Sequence, residues 1–525
     1  MPATPRAPNV QVTPRSSQRL SKSRLVDALQ CPRKLWLAVN NPGCASQEGG
    51  RDAKAEEGER VGALPRDLAH RQCGSSEYVG VSEPLGWRGG TRRSAEVLDA
   101  GGPCALFEAP FAHGALSVIA DIVVRHANGE LWLIEVKSAT KLAGKPYIDD
   151  AAFQSWVMTQ CGHAPDRVLI RLIDSAWTYA GDDDYRGLFR DEDVTDEVRK
   201  RLPHVPALLH VCQDVVAAAE PATRTGKHCD KPYPCAFAEH CQAWEREHFG
   251  APTAFPVSLI GGRFRGRLSA AEKQRIADEG WADLRELPAR FVSDPRAKAI
   301  IASVRTGKAT ATKGLRAKLA ALPYPRYHFD FETINPAIPL WAGTQPYQQV
   351  PFQWSCHVEQ RDGSVEHHAF LDLSGGDPRE ECARRIVALM GKRGGAVVVY
   401  FKPFEETRLK ELARDLPHHA KGLQRVIAKL RDLLPIVGEH YYHPDLNGSF
   451  SIKAVLPTVA PELDYAQLSE VQDGGAAQLA WLEASASDTR AARRAELEAA
   501  LLAYCQRDTE AMLVLTHRLA AMRDT

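Results

Sequence analysis

The sequence predicts a multidomain chain of mixed α/β (α+β) class, and three observations point there. Residues 116–138, LSVIADIVVRHANGELWLIEVKS, hold two β-rich runs around Asn128-Gly129, a strong hairpin signal. From Tyr324 onward, three strand-like runs separated by turn residues give way to alternating helix and strand. Between these regions, residues 255–322 read as helical and locally basic. A chain of 525 residues has room for two or three cores. The expected divisions are a tail over 1–19, a first α/β domain over 20–245, a helical linker over 246–322 and a second α/β domain over 323–525.

The tail is rich in Pro, Ser and Arg and reads as disordered. Residues 20–40 form an amphipathic helix opened by a Ser cap and broken near Cys31-Pro32. A second helical stretch covers 56–70, and 75–102 is Gly-rich and irregular. Residues 105–112 make a strand leading into the hairpin. Residues 149–160, DDAAFQSWVMTQ, make a helix capped by Asp, and 167–174 a buried strand. Helical material then runs to 219, followed by the Pro-punctuated loop KHCDKPYPCAFAEHC. In the second half, RYHFDFETIN, QVPFQWSCHVEQ, HHAFLDL and AVVVYF are strands. Helices cover 377–391, begin near Glu405, and close the chain from about 489 to 522.

Lysine plus arginine equals aspartate plus glutamate, 66 each, so net charge is zero. The overall basicity of a general nucleic-acid binder is missing, and such a surface would have to be a local patch. No apolar run reaches membrane-spanning length and the N-terminus lacks the apolar core of a secretory signal, so a cytoplasmic protein with no membrane partner is expected. Twelve cysteines are too sparse for a disulfide scaffold and point to metal or redox use where they cluster.

In the hairpin, Asp121 falls roughly opposite Glu135, while Glu135 and Lys137 share a strand face. An isolated D…ExK match is more often a solvated face with an ion pair. Here the charges interrupt runs of Val, Ile, Leu and Trp, as a built metal site does. Cys229, Cys235 and Cys241 are spaced Cx5Cx5C in the loop, with Cys31 some two hundred residues upstream. Four thiolates suit zinc or an iron–sulfur cluster and would clasp the ends of the domain together. The lack of a tight CxxC pair tilts the reading to a cluster.

LQCPRKLWL, IADIVV, IEVKS, the helix with Gln154 and the trailing cysteines together resemble the RecB-like PD-(D/E)XK nucleases that carry a 4Fe–4S cluster, the CRISPR-adaptation and AddB type. The resemblance covers roughly 20–245. It implies a restriction-endonuclease-like mixed sheet, Asp121 and Glu135 as ligands of a divalent metal, and Lys137 positioning or activating the attacking water. Gln154 matches the Gln of the family's QxxxY motif, but Met158 stands where Tyr is usual. The family's upstream metal-binding His has no counterpart: Gly62 holds the matching place and His70 lies too far along.

The second region has its own carboxylates. Asp330 and Glu332 in HFDFET project from one strand face while Phe329 and Phe331 pack on the other. Tyr504 and Asp508 in YCQRD stack at i and i+4 on a helix. Glu405 follows a buried strand and can turn inward. Four carboxylates gather most readily around hard cations such as Mg²⁺ or Mn²⁺, which can serve phosphodiester displacement. This set resembles the DnaQ-like DEDD exonucleases of RNase H-like fold, the YxxxD subtype, over roughly 324–520. The resemblance implies Asp330, Glu332, Glu405 and Asp508 as metal ligands, Tyr504 as the water-orienting residue and Lys453 as a phosphate contact. One departure is Glu405 where the family has Asp, with Glu406 a neighbouring candidate. A RecB-like nuclease followed by a DnaQ-like exonuclease resembles a bacterial family of unknown function. The expected activity is Mg²⁺- or Mn²⁺-dependent hydrolysis of DNA, including 3′–5′ exonuclease action, in end processing, repair or defence, with RNA as another substrate. The competing expectation is an end-binding module with one or both sites inactive, and zinc in place of the cluster marks an interaction scaffold.

Overall fold

The computed structural model describes residues 20–46, 61–62, 64, 76–80, 86–142, 145–463, 465–468 and 470–522. The expected tail over 1–19 and His70 lie outside them. The chain is mixed α/β and divides into two compact units, Met1–Ala251 with Pro336–Tyr347, and Pro252–Asn335 with Gln348–Thr525. The basic helical stretch expected as a separate linker therefore belongs mostly to the second unit. Residues 336–347, expected in the second domain, belong to the first. There Ala337 packs with Val61, Ile173 and Leu188, and the Tyr347 hydroxyl donates to the Ser138 carbonyl at 2.7 Å.

The first unit is built on one sheet, with β1 Leu20–Ser21, β2 Ser76–Tyr78, β3 Cys104–His113, β4 Leu116–Arg125, β5 Leu131–Lys137, β6 Arg167–Ile173 and β7 Phe189–Asp193. The order is β2-β3-β4-β5-β6-β7, with β1 beside the start of β4. Its helices are α1 Lys22–Gln30, α2 Pro32–Asn40, α3 Gly86–Asp99, α4 Lys145–Gln160, α5 Thr195–Arg201, α6 Val205–Ala217 and α7 Ala238–Phe249. The β4–β5 hairpin turns at Gly129, whose φ of 90° suits glycine. Parallel β5 and β6 need a crossover, and α4 supplies it. One face of α4 buries Ala151, Ala152, Val157 and Met158 in the main core. Met158 thus fills packing space where the resembling family has Tyr.

Four local expectations need correction. Within the run expected to be helical up to 219, strand β7 Phe189–Asp193 comes first, and the helices begin only at Thr195. Residues 75–102, expected irregular, contain β2 and α3. The helix expected from 149 begins at Lys145, so Asp149 and Asp150 lie inside it and cap nothing. Cys241, expected in a loop, sits on α7.

The second unit has a five-stranded sheet ordered β11-β10-β9-β12-β13, from β9 Arg326–Ile334, β10 Val350–Glu359, β11 Val365–Leu371, β12 Ala396–Val399 and β13 Leu430–Asp432. A small ladder pairs β8 Thr310–Ala311 with β14 Tyr441–Tyr442. The helices are α8 Ala270–Asp278, α9 Pro295–Thr306, α10 Leu315–Ala320, α11 Arg379–Met390, α12 Lys402–Asp415, α13 Pro417–Ala428, α14 Leu433–His440, α15 Ile452–Val459, α16 Gly474–Ser485 and α17 Ala491–Ala521. Central β9 alternates as its sequence requires: Tyr327, Phe329 and Phe331 enter the core with Trp354 and Cys356. Asp330 and Glu332 take the opposite face. Helix α17 is pinned across that face by polar bonds. Gln353 Nε2 donates to the Leu501 carbonyl at 2.8 Å, and the Thr509 hydroxyl meets Ser355 Oγ and His357 Nδ1, each at 2.8 Å.

Candidate active sites

In the first unit, β3 covers one edge of β4, and the other edge is shared between two partners. Leu116 and Ser117 pair with β1, whereas Ile122 to Arg125 pair with β5. The β4–β5 ladder stops at Ile122–Ile134, and Asp121 lies in the fork beyond it. Its Oδ2 accepts the Val136 N–H at 2.8 Å, replacing the lost backbone partner. Glu135, 1% exposed, points from β5 toward α4. Gln154 Nε2 donates to Glu135 Oε2 at 2.5 Å, and Lys137 Nζ donates to Glu135 Oε1 and to Asp150 Oδ2, both at 2.6 Å. The structure therefore gathers Asp121, Glu135, Lys137 and Gln154.

It adds two residues that sequence reasoning missed. Lys22, in the first turn of α1, donates to Glu135 Oε1 at 2.9 Å and lies 3.5 Å from Asp150. Asp150 stands one helical turn before Gln154. The i, i+4 pair of polar residues on an otherwise apolar helix was a readable signal for it. Lys22 carried no such signal, because the contact spans 113 positions of sequence. Burial pushes the Asp121 carboxyl up to about 7, with Glu135 adding to it. Burial acts upward on Glu135 too, but Lys137 and Lys22 hold it well below the usual carboxylate range.

The four predicted cysteines line one small cavity, together with Lys34, His228 and Phe237. Cys31 sits at the break between α1 and α2, where Pro32 opens the second helix. The surrounding chain is fastened to that break. Gln30 Nε2 donates to the carbonyls of His228 and Tyr233, each at 2.7 Å, and Trp36 Nε1 to Ala218 at 2.9 Å. Arg33, buried, reaches Glu220 at 2.6 Å and lies 4.4 Å above the Trp244 ring. Among the described residues, no three of these sulfurs lie within 4.8 Å of one another. A single zinc with Zn–S near 2.3 Å would hold tetrahedral sulfurs about 3.8 Å apart. The thiols are spread more widely than one ion needs. Burial pushes the Cys241 thiol up to about 11, with Arg33 opposing.

In the second unit, Asp330 and Glu332 on β9 meet Glu405 from the first turn of α12 and Asp508 from α17. Asp330 shares a hydrogen bond with Glu405, which is 2% exposed. Glu406, the neighbouring candidate, turns away to Lys410 at 2.6 Å and Lys402 at 3.7 Å. Glu405 is therefore the one that faces the cluster. Asp330, Glu332 and the Cys505 thiol lie within 4.8 Å of one another. Tyr504 hydrogen-bonds Asp508 from one turn away, and Tyr465 donates to Asp508 Oδ1 at 2.5 Å. Tyr465 was not foreseen; it opens a one-turn 3-10 helix, Tyr465–Gln467, too short to show a periodicity. Lys453 Nζ is 5.1 Å from the Tyr504 ring centroid and 5.2 Å from that of Tyr465, and donates to the Gln472 carbonyl at 2.6 Å. Burial, then Asp508, push Asp330 up to about 8. Asp508 rises to about 6 through burial, restrained by Tyr465 and Lys453. Glu332 and Glu405 are raised well above their usual range by burial and by Asp330. Among the described residues, four carboxyls thus share one nearby ammonium, and burial holds them toward their protonated forms.

Residues 327–451 match the family described as a domain of unknown function, DUF2779. The match includes Asp330, Glu332 and Glu405 and stops before Lys453, Tyr504 and Asp508. The chain is also 29% identical over 209 residues to the "Uncharacterized protein MG366 homolog" of Mycoplasma pneumoniae, covering 36% of this chain and 31% of that one. It is 29% identical over 154 residues to the "Uncharacterized protein UU173" of Ureaplasma parvum, covering 27% of this chain and 22% of the other. The chain thus spans less than a third of the length of either relative. Among the described residues, no helix is long and apolar enough to cross a membrane.

Proposed function

We propose that the protein is a metal-dependent nuclease that hydrolyses phosphodiester bonds in DNA, removing nucleotides from a 3′ end at the Asp330 cluster. One observation carries this reading: Asp330, Glu332, Glu405 and Asp508 converge from β9, α12 and α17, and among the described residues Lys453 is the one ammonium that offsets them, at Asp330, Glu332 and Asp508. Those four side chains would hold Mg²⁺ or Mn²⁺, which supplies charge stabilisation for an in-line displacement. Tyr504, tied to Asp508, would orient the attacking water. Lys453 would meet a phosphate oxygen.

In the first unit, Asp121 and Glu135 would take a divalent cation for a PD-(D/E)XK-type cleavage. Lys137 would position the water, and Gln154 would fix the rotamer of Glu135. Cys31, Cys229, Cys235 and Cys241 would hold a 4Fe–4S cluster as a structural clasp. The wide spread of their sulfurs supports a cluster over zinc. The test is a cleavage assay on 3′- and 5′-labelled single- and double-stranded DNA, with RNA alongside, in Mg²⁺ or Mn²⁺. Asp330→Ala should abolish 3′ release and leave Lys137-dependent cutting; Lys137→Ala should do the reverse. If both changes leave cleavage intact, the assignment is wrong.

A second reading applies to the first unit alone: an end-binding module. Lys22 and Lys137 already neutralise Glu135 and Asp150, and Met158 replaces the family's Tyr. A silent Lys137 site in a protein that still binds DNA ends would select it.

A further inference from the structure

A cavity of about 570 Å³ in the second unit is left unused by the chemistry above. Two of its walls run straight into the Asp330 cluster. Tyr400 and Phe401 immediately precede α12, which carries Glu405 in its first turn. Ser451 and Ile452 open α15, whose next residue is Lys453. The third wall is the loop with Arg263, Phe264 and Arg265, from the basic stretch that precedes the sheet. Half-buried Arg296 holds this loop in place: its Nε donates to the Phe264 carbonyl at 2.9 Å, and its Nη2 to the carbonyls of Gly438 and Tyr441 at 2.7 Å. The Phe264 ring rests on Gly438, where a Cβ would come within 2.4 Å of it.

Two properties identify the occupant. Among the described residues, the lining holds two guanidiniums and no carboxylate, which suits a polyanion. Phe401 is 44% exposed and has φ of 85°, a left-handed conformation that bulky residues avoid. Its N–H is held there by Asp432 Oδ1 at 3.0 Å. A large ring kept in water on a strained backbone, in a cavity whose lining also carries two guanidiniums, is built as a stacking platform. We propose that this cavity seats a single-stranded nucleic-acid segment, with a base on Phe401 and phosphates on Arg263 and Arg265, and feeds it to the Asp330 cluster. The proposal rests on the nuclease reading of that cluster.

The test is fluorescence anisotropy of a labelled strand of about twelve nucleotides, DNA and RNA, on the full-length protein in EDTA, where cleavage is silent. Phe401→Asn keeps a residue that tolerates positive φ and should weaken binding about ten-fold. The Arg263→Ala, Arg265→Ala pair should flatten the dependence of log affinity on log salt by about 1.4, two single-strand phosphate contacts. Unchanged affinity and salt slope in both variants would overturn the subsite, as would blunt duplex competing as well as single strand. Asp330→Asn separates the two claims. If it loses cleavage while the cavity variants bind normally, only the subsite fails. If cleavage is absent from the wild type yet the cavity variants lose binding, only the nuclease reading fails.

Discussion

The two carboxylate clusters solve the same electrostatic problem in opposite ways. In the first unit, Asp121, Glu135 and Asp150 face Lys22 and Lys137, three carboxylates against two ammoniums. In the second, among the described residues, Lys453 is the ammonium that offsets Asp330, Glu332 and Asp508, and no cation offsets Glu405. The result is visible in their acidities. In the first cluster Asp121 and Asp150 are raised by burial but Glu135, between the two lysines, is held well below the usual range, whereas all four carboxyls of the second cluster are raised, Asp330 up to about 8. A buried cluster whose charge its own chain largely offsets, as Lys22 and Lys137 do for Glu135 and Asp150, can stand without a ligand. One that is not neutralised either keeps its protons or takes cations. The difference teaches that the second cluster relies on bound protons or cations more than the first does.

The comparison can be broken most sharply at Asp330. Replacing it by Asn should cut Mg²⁺-dependent 3′ release at least a hundred-fold, read from 3′-labelled product, and leave the first unit's cutting unchanged. Next in size is the charge balance of the first unit. Lys22→Met leaves Glu135 and Asp150 underpaired and should cost roughly 2–4 kcal/mol of that unit's stability in a urea melt, less than a fully buried pair because Lys22 is partly exposed. Mn²⁺ should restore part of that loss; a Lys22→Met protein as stable as wild type would remove the lysine from the account.

A third effect follows from acidity. The second cluster's carboxyls have raised folded values, so the folded state holds more protons than the unfolded chain. Metal-free stability contributed by the cluster is therefore full below about pH 4 and falls as pH rises through about 8. The increase in melting temperature caused by Mn²⁺ should be small at pH 5.5 and large at pH 8.5, and Asp330→Asn should flatten that trend. The smallest effect belongs to Tyr465→Phe. It removes a donor that holds the Asp508 carboxyl down, so the acid limb of the activity profile should move up by less than one pH unit.

Local chemistry was legible in the sequence. The Asn128-Gly129 turn, the period-two pattern of HFDFET and the Tyr504–Asp508 helical pair each reflect contacts between near neighbours, and the structure places them as read. Glu405 over Glu406 was open in sequence and is decided by Lys402 and Lys410, which claim Glu406. Lys22 and Tyr465 were invisible because their partners lie 113 and 43 positions away, beyond any periodicity. Helix α3 escaped because Gly86, Gly89 and Gly90 depress helix propensity; Gly90 is kept small by the Gly80 carbonyl, which a Cβ would approach to 2.5 Å. The excursion of residues 336–347 into the first unit has no local signature either. Its determinants are long-range, in Ala337 and Tyr347.

The most direct test of the contrast is a Mn²⁺ titration at pH 8.5, followed by electron paramagnetic resonance, on wild type, Asp330→Asn and Asp121→Asn. The account predicts tightly bound Mn²⁺ that is lost in Asp330→Asn and largely retained in Asp121→Asn. Identical binding by all three proteins, or none by the wild type, would contradict it.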